Sequence, residues 1–87
     1  MTPLVKIYSR RHCHLCEVAL SVANEVQKDI PFELEIIYID NDPRLEKEFG
    51  EEIPVTIIEG LRHDFFTLNS ERFKSALKNI YQNQNID

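Results

Sequence analysis

The first clear strand-to-helix transition of this 87-residue chain lies in LVKIYSRRHCHLC, residues 4–16. Residues 4–8 are aliphatic or aromatic apart from one lysine, which predicts a strand that is at least partly buried. Apolar side chains then recur at helical spacing. We expect this helix to end near Ile30, because Pro31 disfavours helical geometry in the residue before it. The expected buried stripe consists of Leu15, Val18, Ala19, Val22, Ala23 and Val26.

The middle of the chain predicts a second strand and a short second helix. Residues 32–39 contain a nearly continuous apolar run, which suits a strand that is buried on both faces. Residues 40–43, Asp-Asn-Asp-Pro, offer N-cap side chains followed by a proline at the first helical position. We expect this helix to end at Phe49, with Gly50 in a left-handed turn.

The last third of the chain predicts a β-hairpin and a final helix. Strands over 53–58 and 61–66 are joined by residues 59–60, Glu-Gly, a pair that suits a two-residue hairpin turn. Asn69 or Ser70 can cap the helix that follows. The apolar stripe of that helix consists of Phe73, Ala76, Leu77, Ile80 and Tyr81.

The resulting element order is β-α-β-α-β-β-α. It predicts an α/β fold with a parallel first strand pair, a four-stranded mixed sheet and helices on both faces. We assign residues 1–82 to this single domain. Residues 83–87 form a polar C-terminal tail that we expect to fray.

Composition excludes several functional classes. The chain has two cysteines and two widely separated glycines, so it cannot build a multi-disulfide framework, a dinucleotide-binding fingerprint or a P-loop. It has no apolar run long enough for a signal peptide or a transmembrane helix. We therefore expect a small cytoplasmic monomer that does not act at membranes.

The net charge of −5 conceals an asymmetry along the chain. Residues 1–16 carry +3 and residues 17–87 carry −8. A chain that is acidic over most of its length is poorly suited to nucleic acid, where neutralising phosphates dominates affinity. Both cysteines lie in the basic opening segment.

The cysteines form a C-x-x-C motif, Cys13 to Cys16, at the expected start of the first helix. Unpaired N–H groups and the helix dipole favour negative charge there. Arg10 and Arg11, and His12 or His14 when protonated, add positive charge nearby, so a thiolate at Cys13 should be stabilised. We expect Cys13 to attack a substrate disulfide and the more shielded Cys16 to release the mixed disulfide. This chemistry needs an external reductant but no bound cofactor.

Two other interpretations of the motif stay open. The cysteines could be two small buried residues whose spacing is accidental. The domain could also be a non-catalytic binding module that holds zinc or a bridged iron–sulfur cluster. The ligand candidates are His12, Cys13, His14 and Cys16, with His63 as a fifth. Because four ligands within five residues can hardly converge on one ion, we expect no metal site made by this chain alone.

At these residues the sequence resembles the glutaredoxin-like branch of the thioredoxin superfamily, over nearly the whole chain. The matching segments are YSRRHCHLC (8–16), IDNDP (39–43) and FGEEIPV (49–55). The resemblance implies the glutaredoxin-type thioredoxin fold, with Cys13 as the attacking and Cys16 as the resolving cysteine. It also implies that Pro54 is a cis-proline, which lies beside the redox pair and helps to hold the substrate backbone.

The resemblance further implies the side chains that would bind substrate. Arg10 stands where glutaredoxins commonly carry a lysine, which stabilises the thiolate and binds the carboxylate of glutathione. Ile53 and Pro54 are the expected contacts with the substrate chain. His14 and Leu15, which lie between the cysteines, should tune the redox potential.

The sequence departs from glutaredoxins where glutathione would bind. Their Pro-Tyr between the cysteines is His-Leu at 14–15, and their Thr-Val before the cis-proline is Glu-Ile at 52–53. Their Gly-Gly turn and the acidic residue that follows it are replaced by Leu-Asn-Ser-Glu at 68–71. We therefore expect protein disulfides as substrates in preference to glutathione mixed disulfides. The electron donor would be a thioredoxin reductase-type system or glutathione.

The last expectations concern the burial of three phenylalanines and one histidine. Phe65, Phe66 and Phe73 should lie in the core or on a sheet face, although one of them could line a substrate groove. His63 is expected to be a surface residue of its strand.

Overall fold

The computed structural model describes residues 2–84 and has the expected element order. The elements are β1 (Leu4–Ser9), α1 (His14–Asp29), β2 (Glu33–Tyr38), α2 (Pro43–Phe49), β3 (Val55–Ile58), β4 (Leu61–Phe65) and α3 (Ser70–Gln84). None of the helices within residues 2–84 combines the length and the apolar character that crossing a membrane requires.

The four strands form one mixed sheet in the order β2-β1-β3-β4. β1 pairs in parallel with β2, with Ile7 opposite Ile36, and antiparallel with β3, with Tyr8 opposite Val55. β3 and β4 form the predicted hairpin. β1 is therefore a central strand, and the loop that carries Cys13 follows its C-terminal end.

Helices cover both faces of the sheet, as predicted. Val5 and Ile7 of β1 pack with residues of α1 and α3 in the larger core cluster. Because side chains alternate along a strand, the next residue, Tyr8, lies on the opposite face. There its ring stacks on Phe49 of α2, with the centroids 4.1 Å apart. α2 is thereby held against the centre of the sheet.

The predicted stripe of α1 is wrong at its start. Leu15 and Val18 are 51% and 45% exposed. The residues that α1 buries are Cys16, Ala19, Ala23 and Val26. Because Cys16 occupies the first core position of the helix, Leu15 and Val18 lie outside the buried stripe. Two exposed apolar side chains therefore lie beside the redox pair.

The expectation that β2 is buried on both faces is also wrong. β2 is an edge strand, so Ile36 and Ile37 are only half-buried. Ile39, one residue beyond the strand, is the fully buried member of the run, in the cluster that contains Cys16. The apolar composition of the segment indicated burial without showing which strand would lie at the edge.

The turns at residues 59–60 and at residue 50 were both predicted, and one of the two has a different conformation. Glu59 and Gly60 both have positive φ, 49° and 81°, as a two-residue hairpin turn requires. Gly50 is not left-handed as predicted; its φ is −56° and its N–H donates to the Glu46 carbonyl at 2.8 Å. The close approach to Glu46 explains the glycine, since a Cβ would collide with that carbonyl oxygen.

The final helix is capped by Asn69, whose Oδ1 accepts the Arg72 N–H at 2.9 Å. α3 runs to Gln84, two residues past the expected domain limit at 82. The remaining residues of the expected tail, 85–87, lie outside the described part of the chain.

Candidate active site

Cys13 and Cys16 lie at the N-terminus of α1 and are joined as a disulfide, with their Cα atoms 5.2 Å apart. This separation lies within the range that disulfides adopt. Cys13 is the N-cap residue, and its Sγ accepts the Cys16 N–H at 3.2 Å. The start of the helix therefore brings both sulfur atoms together and points a backbone donor at the first.

The two cysteines differ in exposure as the sequence predicts. Cys13 is half-buried, whereas Cys16 is only 5% exposed. Cys16 lies in a core cluster with Ile39, Phe49 and other residues, and Cys13 packs against the edge of that cluster. An approaching molecule can therefore reach Cys13 more easily than Cys16.

The fold supplies carboxylates that are absent from residues 1–16. Arg10 forms an ion pair with Glu46, and its guanidinium nitrogens donate to the Gly50 carbonyl at 3.4 and 3.5 Å. The Arg11 N–H donates to Asp40 Oδ2 at 3.0 Å, and its guanidinium lies 4.7 Å from the centre of the Tyr38 ring. The basic segment is therefore partly neutralised by tertiary contacts.

His14, an expected thiolate-stabilising residue, is exposed to solvent. Its contact is with the Glu17 carboxylate one turn along α1, with Nδ1 and Oε2 4.0 Å apart. His14 thus lies within the motif, and its side-chain contact is with a carboxylate.

The Ile53–Pro54 peptide bond is cis, as the resemblance implies. Ile53 packs in the same cluster as Cys16, so the segment before β3 lies against the redox pair. The side chains of Ile53 and Pro54 are both buried. The structure therefore brings Ile53 to the site, with Pro54 next to it in the chain, and the surfaces of both residues are covered in the oxidised protein.

An aromatic pair lies beside the cis-proline. The Phe66 N–H donates to the carbonyls of Glu52 and Pro54, at 3.2 and 3.0 Å. The rings of Phe65 and Phe66 meet edge to face at 5.1 Å and are 43% and 47% exposed. Phe66 has φ 65°, a left-handed conformation that is rare for a bulky residue.

The outcome for the three phenylalanines is therefore divided. Phe73 is fully buried in the core, as predicted. Phe65 and Phe66 are both exposed, and the sequence contained a signal for only one of them. Two consecutive aromatics at a strand end cannot both point to the same face of a sheet.

His63 is not the surface residue that we expected. The register between β3 and β4 shifts at Thr56 and Ile57, which makes His63 an extra, bulged residue. Its ring lies 5.9 Å from that of Phe73, and Nε2 is buried without a hydrogen-bond partner among the described residues. Desolvation lowers the pKa of His63, against the opposing effect of Asp64.

The candidate metal ligands do not gather at one site in the part of the chain that the structure describes. Within residues 2–84, no three His, Cys, Asp or Glu side chains are grouped so as to hold a metal ion. His14 contacts Glu17, and His63 lies against α3. Within that part of the chain, the residues present do not fit a mononuclear zinc site.

An open cavity of about 190 Å³ lies against both cysteines. The loop over residues 10–12 and the Tyr38 side chain line it opposite α1. Its size suits a side chain or a small thiol, and such a group would lie beside Cys13 and Cys16.

These features together define a class of protein. A C-x-x-C disulfide at the first helix N-terminus, a cis-proline before β3 and a β-α-β-α-β-β-α fold are the features of a glutaredoxin-like protein of the thioredoxin superfamily. Residues 4–78 match the family model described as Glutaredoxin-like domain (DUF836), and the chain belongs to that family.

Individual proteins resemble the chain over most of its length. An uncharacterized protein of Mycobacterium tuberculosis is 24% identical over 80 residues, which cover 86% of this chain and 82% of the relative. A protein of Nitrosomonas europaea, solved by NMR, is 28% identical with a TM-score of 0.77, over 87% of this chain and 92% of that one. Chloroplastic thioredoxin z shares the fold alone, at 16% identity and a TM-score of 0.69, over 93% of this chain and 80% of that one.

Proposed function

We propose that this protein is a thiol–disulfide oxidoreductase that reduces protein disulfides through the Cys13–Cys16 dithiol. The observation that carries the proposal is the disulfide at the start of α1, in which the Cys16 N–H donates to Cys13 Sγ. In the reduced protein the same donor would face a Cys13 thiolate. A thiolate at a helix N-terminus is favoured, and the thiolate is the form that attacks disulfides.

The two-step exchange follows from the positions of the sulfur atoms. The Cys13 thiolate attacks one sulfur of the substrate disulfide, the S–S bond breaks, and the other substrate sulfur leaves as a thiolate. Cys16 then loses its proton and attacks Cys13 Sγ, which releases the second substrate thiol. The substrate gains two electrons and two protons, and the protein becomes the disulfide form. A thioredoxin reductase-type system or glutathione would restore the dithiol.

The surroundings of the pair support protein substrates over glutathione. Phe66 has an exposed ring, and its backbone N–H is bonded to the carbonyls of Glu52 and Pro54 on either side of Ile53. Leu15 adds exposed apolar surface between the two cysteines. A protein segment can cover such apolar groups, whereas a small charged tripeptide gains little from them.

The test is to compare two electron donors and to trap the intermediate. The oxidised protein is mixed either with glutathione or with thioredoxin reductase and NADPH, and reduction of insulin disulfides is followed. We expect faster turnover with the reductase, and a Cys16→Ser variant that accumulates a mixed disulfide at Cys13. Fast reduction by glutathione alone would overturn the substrate preference. A Cys13 that titrates like an ordinary thiol and never forms a bridge to Cys16 would refute the activity.

A further inference from the structure

Arg10 is held by one end of α2. Its Nη2 donates to Glu46 Oε1, and both terminal nitrogens donate to the Gly50 carbonyl, at 3.4 and 3.5 Å. The guanidinium is thus turned towards α2, and its charge is paired with a carboxylate. The same Arg10 lines the cavity that contains Cys13.

The position of Glu46 is itself fixed by the packing of α2. Asp42 caps the helix through the N–H groups of Arg44 and Leu45, and Phe49 stacks on Tyr8. Gly50 leaves room for the Glu46 side chain, because a Cβ at residue 50 would lie 2.9 Å from Glu46 Oε1. A carboxylate held in this way is better placed to retain Arg10 than one on a mobile side chain.

We propose that Glu46 is a positioning residue that withholds Arg10 from the redox pair and so disfavours carboxylate-bearing low-molecular-weight thiols as reductants. This inference rests on the proposed thiol–disulfide exchange and adds a determinant of its specificity. An unpaired guanidinium three residues before Cys13 would stabilise the thiolate and attract an anionic thiol. The paired Glu46 carboxylate opposes that field.

The step that Glu46 would slow is reduction of the protein by glutathione. A glutathione thiolate attacks one sulfur of the Cys13–Cys16 disulfide, and the other cysteine leaves as a thiolate and takes up a proton. A second glutathione then attacks the glutathione sulfur of the mixed disulfide. The protein gains two electrons and two protons, and glutathione disulfide is released.

The experiment compares Glu46→Gln with Glu48→Gln. Glu48 is an exposed carboxylate of the same helix and forms no ion pair among the described residues, so its variant makes the same charge change away from Arg10. Two quantities are measured. The first is the pH profile of Cys13 alkylation by iodoacetamide, in a Cys16→Ser background. The second is the rate of reduction of the disulfide by glutathione, divided by the rate with uncharged 2-mercaptoethanol.

We expect Glu46→Gln to lower the alkylation midpoint by about half a pH unit, which means about threefold more thiolate below the midpoint. The ratio of glutathione to mercaptoethanol rates should rise about threefold or more. Glu48→Gln should leave both quantities near wild type. In an Arg10→Gln background, Glu46→Gln should change neither, because Glu46 acts through Arg10.

Two results would overturn the proposal. One is a Glu46→Gln variant that behaves like Glu48→Gln. The other is an equal midpoint shift with and without Arg10, which would show that Glu46 acts through its own charge alone. Alkylation does not require turnover, so the profile decides the role of Glu46 even for a protein that never reduces insulin. A wild-type protein that does not reduce insulin would refute the proposed function, and the alkylation test of Glu46 would still apply.

Discussion

Asp64→Asn should destabilise the protein and loosen the segment that carries Phe66. The Asp64 carboxylate is buried at the end of β4 and uses both oxygens. Oδ1 accepts the Phe65 N–H at 3.1 Å. Oδ2 accepts the Asn69 N–H at 3.1 Å and Arg72 Nη2 at 2.6 Å. These bonds join β4 to the start of α3.

The magnitude follows from the number of acceptors. An asparagine has one acceptor oxygen, so either the Phe65 or the Asn69 donor must face its amide group. A buried donor without a partner costs about 1–3 kcal/mol, and each bond to a charged group contributes about 1.5–3 kcal/mol. Arg72 is more exposed and can return to water, which limits the loss. We expect Asp64→Asn to lower the free energy of unfolding by about 2–4 kcal/mol.

The assay is urea unfolding at pH 7, followed by far-ultraviolet circular dichroism. Asp29→Asn, which changes an exposed carboxylate at the end of α1, is the matched control and should stay within about 0.5 kcal/mol of wild type. An Asp64→Asn loss no larger than that of the control would refute the reasoning.

The same variant has a pH signature. Burial raises the pKa of Asp64, but the hydrogen bonds from Asn69, Arg72 and Phe65 outweigh it and leave the pKa below its usual value. The stability that Asp64 contributes is therefore present above the unfolded pKa of about 3.9 and is lost as the pH falls through the lower folded value. The difference between wild type and Asp64→Asn should shrink below pH 4. A difference that stayed constant down to pH 2 would contradict the assigned role of the charge.

Three further predictions concern His63, Phe66 and Gly50. Desolvation lowers the pKa of His63, so the folded protein favours its neutral form. Stability is therefore lost as the pH falls below about 6.5, where the unfolded chain takes up the proton more readily. The Tm of wild type should fall more between pH 7 and pH 5 than the Tm of His63→Leu. Phe66→Gly should be about 1 kcal/mol more stable in urea than Phe66→Ala, because only glycine adopts the positive φ without cost; equal stabilities would refute the left-handed conformation. Gly50→Ala should lose about 1–3 kcal/mol in the same assay, because its Cβ collides with Glu46; an unchanged midpoint would show that the helix end can shift.

Much of the fold was predictable because the relevant signals are local. Pro43 and Asp42 mark the start of α2, and residues 59–60 form the hairpin turn, because caps and turns depend on neighbours a few residues away. The C-x-x-C motif was recognisable for the same reason. The placement of Cys13 at the N-cap follows from where the strand ends and the helical periodicity begins.

The errors arose where a residue's surroundings come from distant parts of the chain. The predicted apolar stripe of α1 was wrong only at its start, where Cys16 faces the core and Leu15 and Val18 do not. The edge position of β2 depends on which strands pair with β1. His63 became half-buried, with its Nε2 fully buried, through a register shift between β3 and β4, which alternation along one strand cannot show.

The sequence alone determined the order of the elements and the presence of a dithiol at a helix start, because both are set by short-range periodicity, capping and spacing. Only the tertiary structure decided the charge around that dithiol. Arg10 appears unopposed in the basic opening segment, yet Glu46, 36 residues away, lies against its guanidinium. The field at a site sums all charges that the fold brings near it, so it cannot be read from the residues that flank the site in the chain.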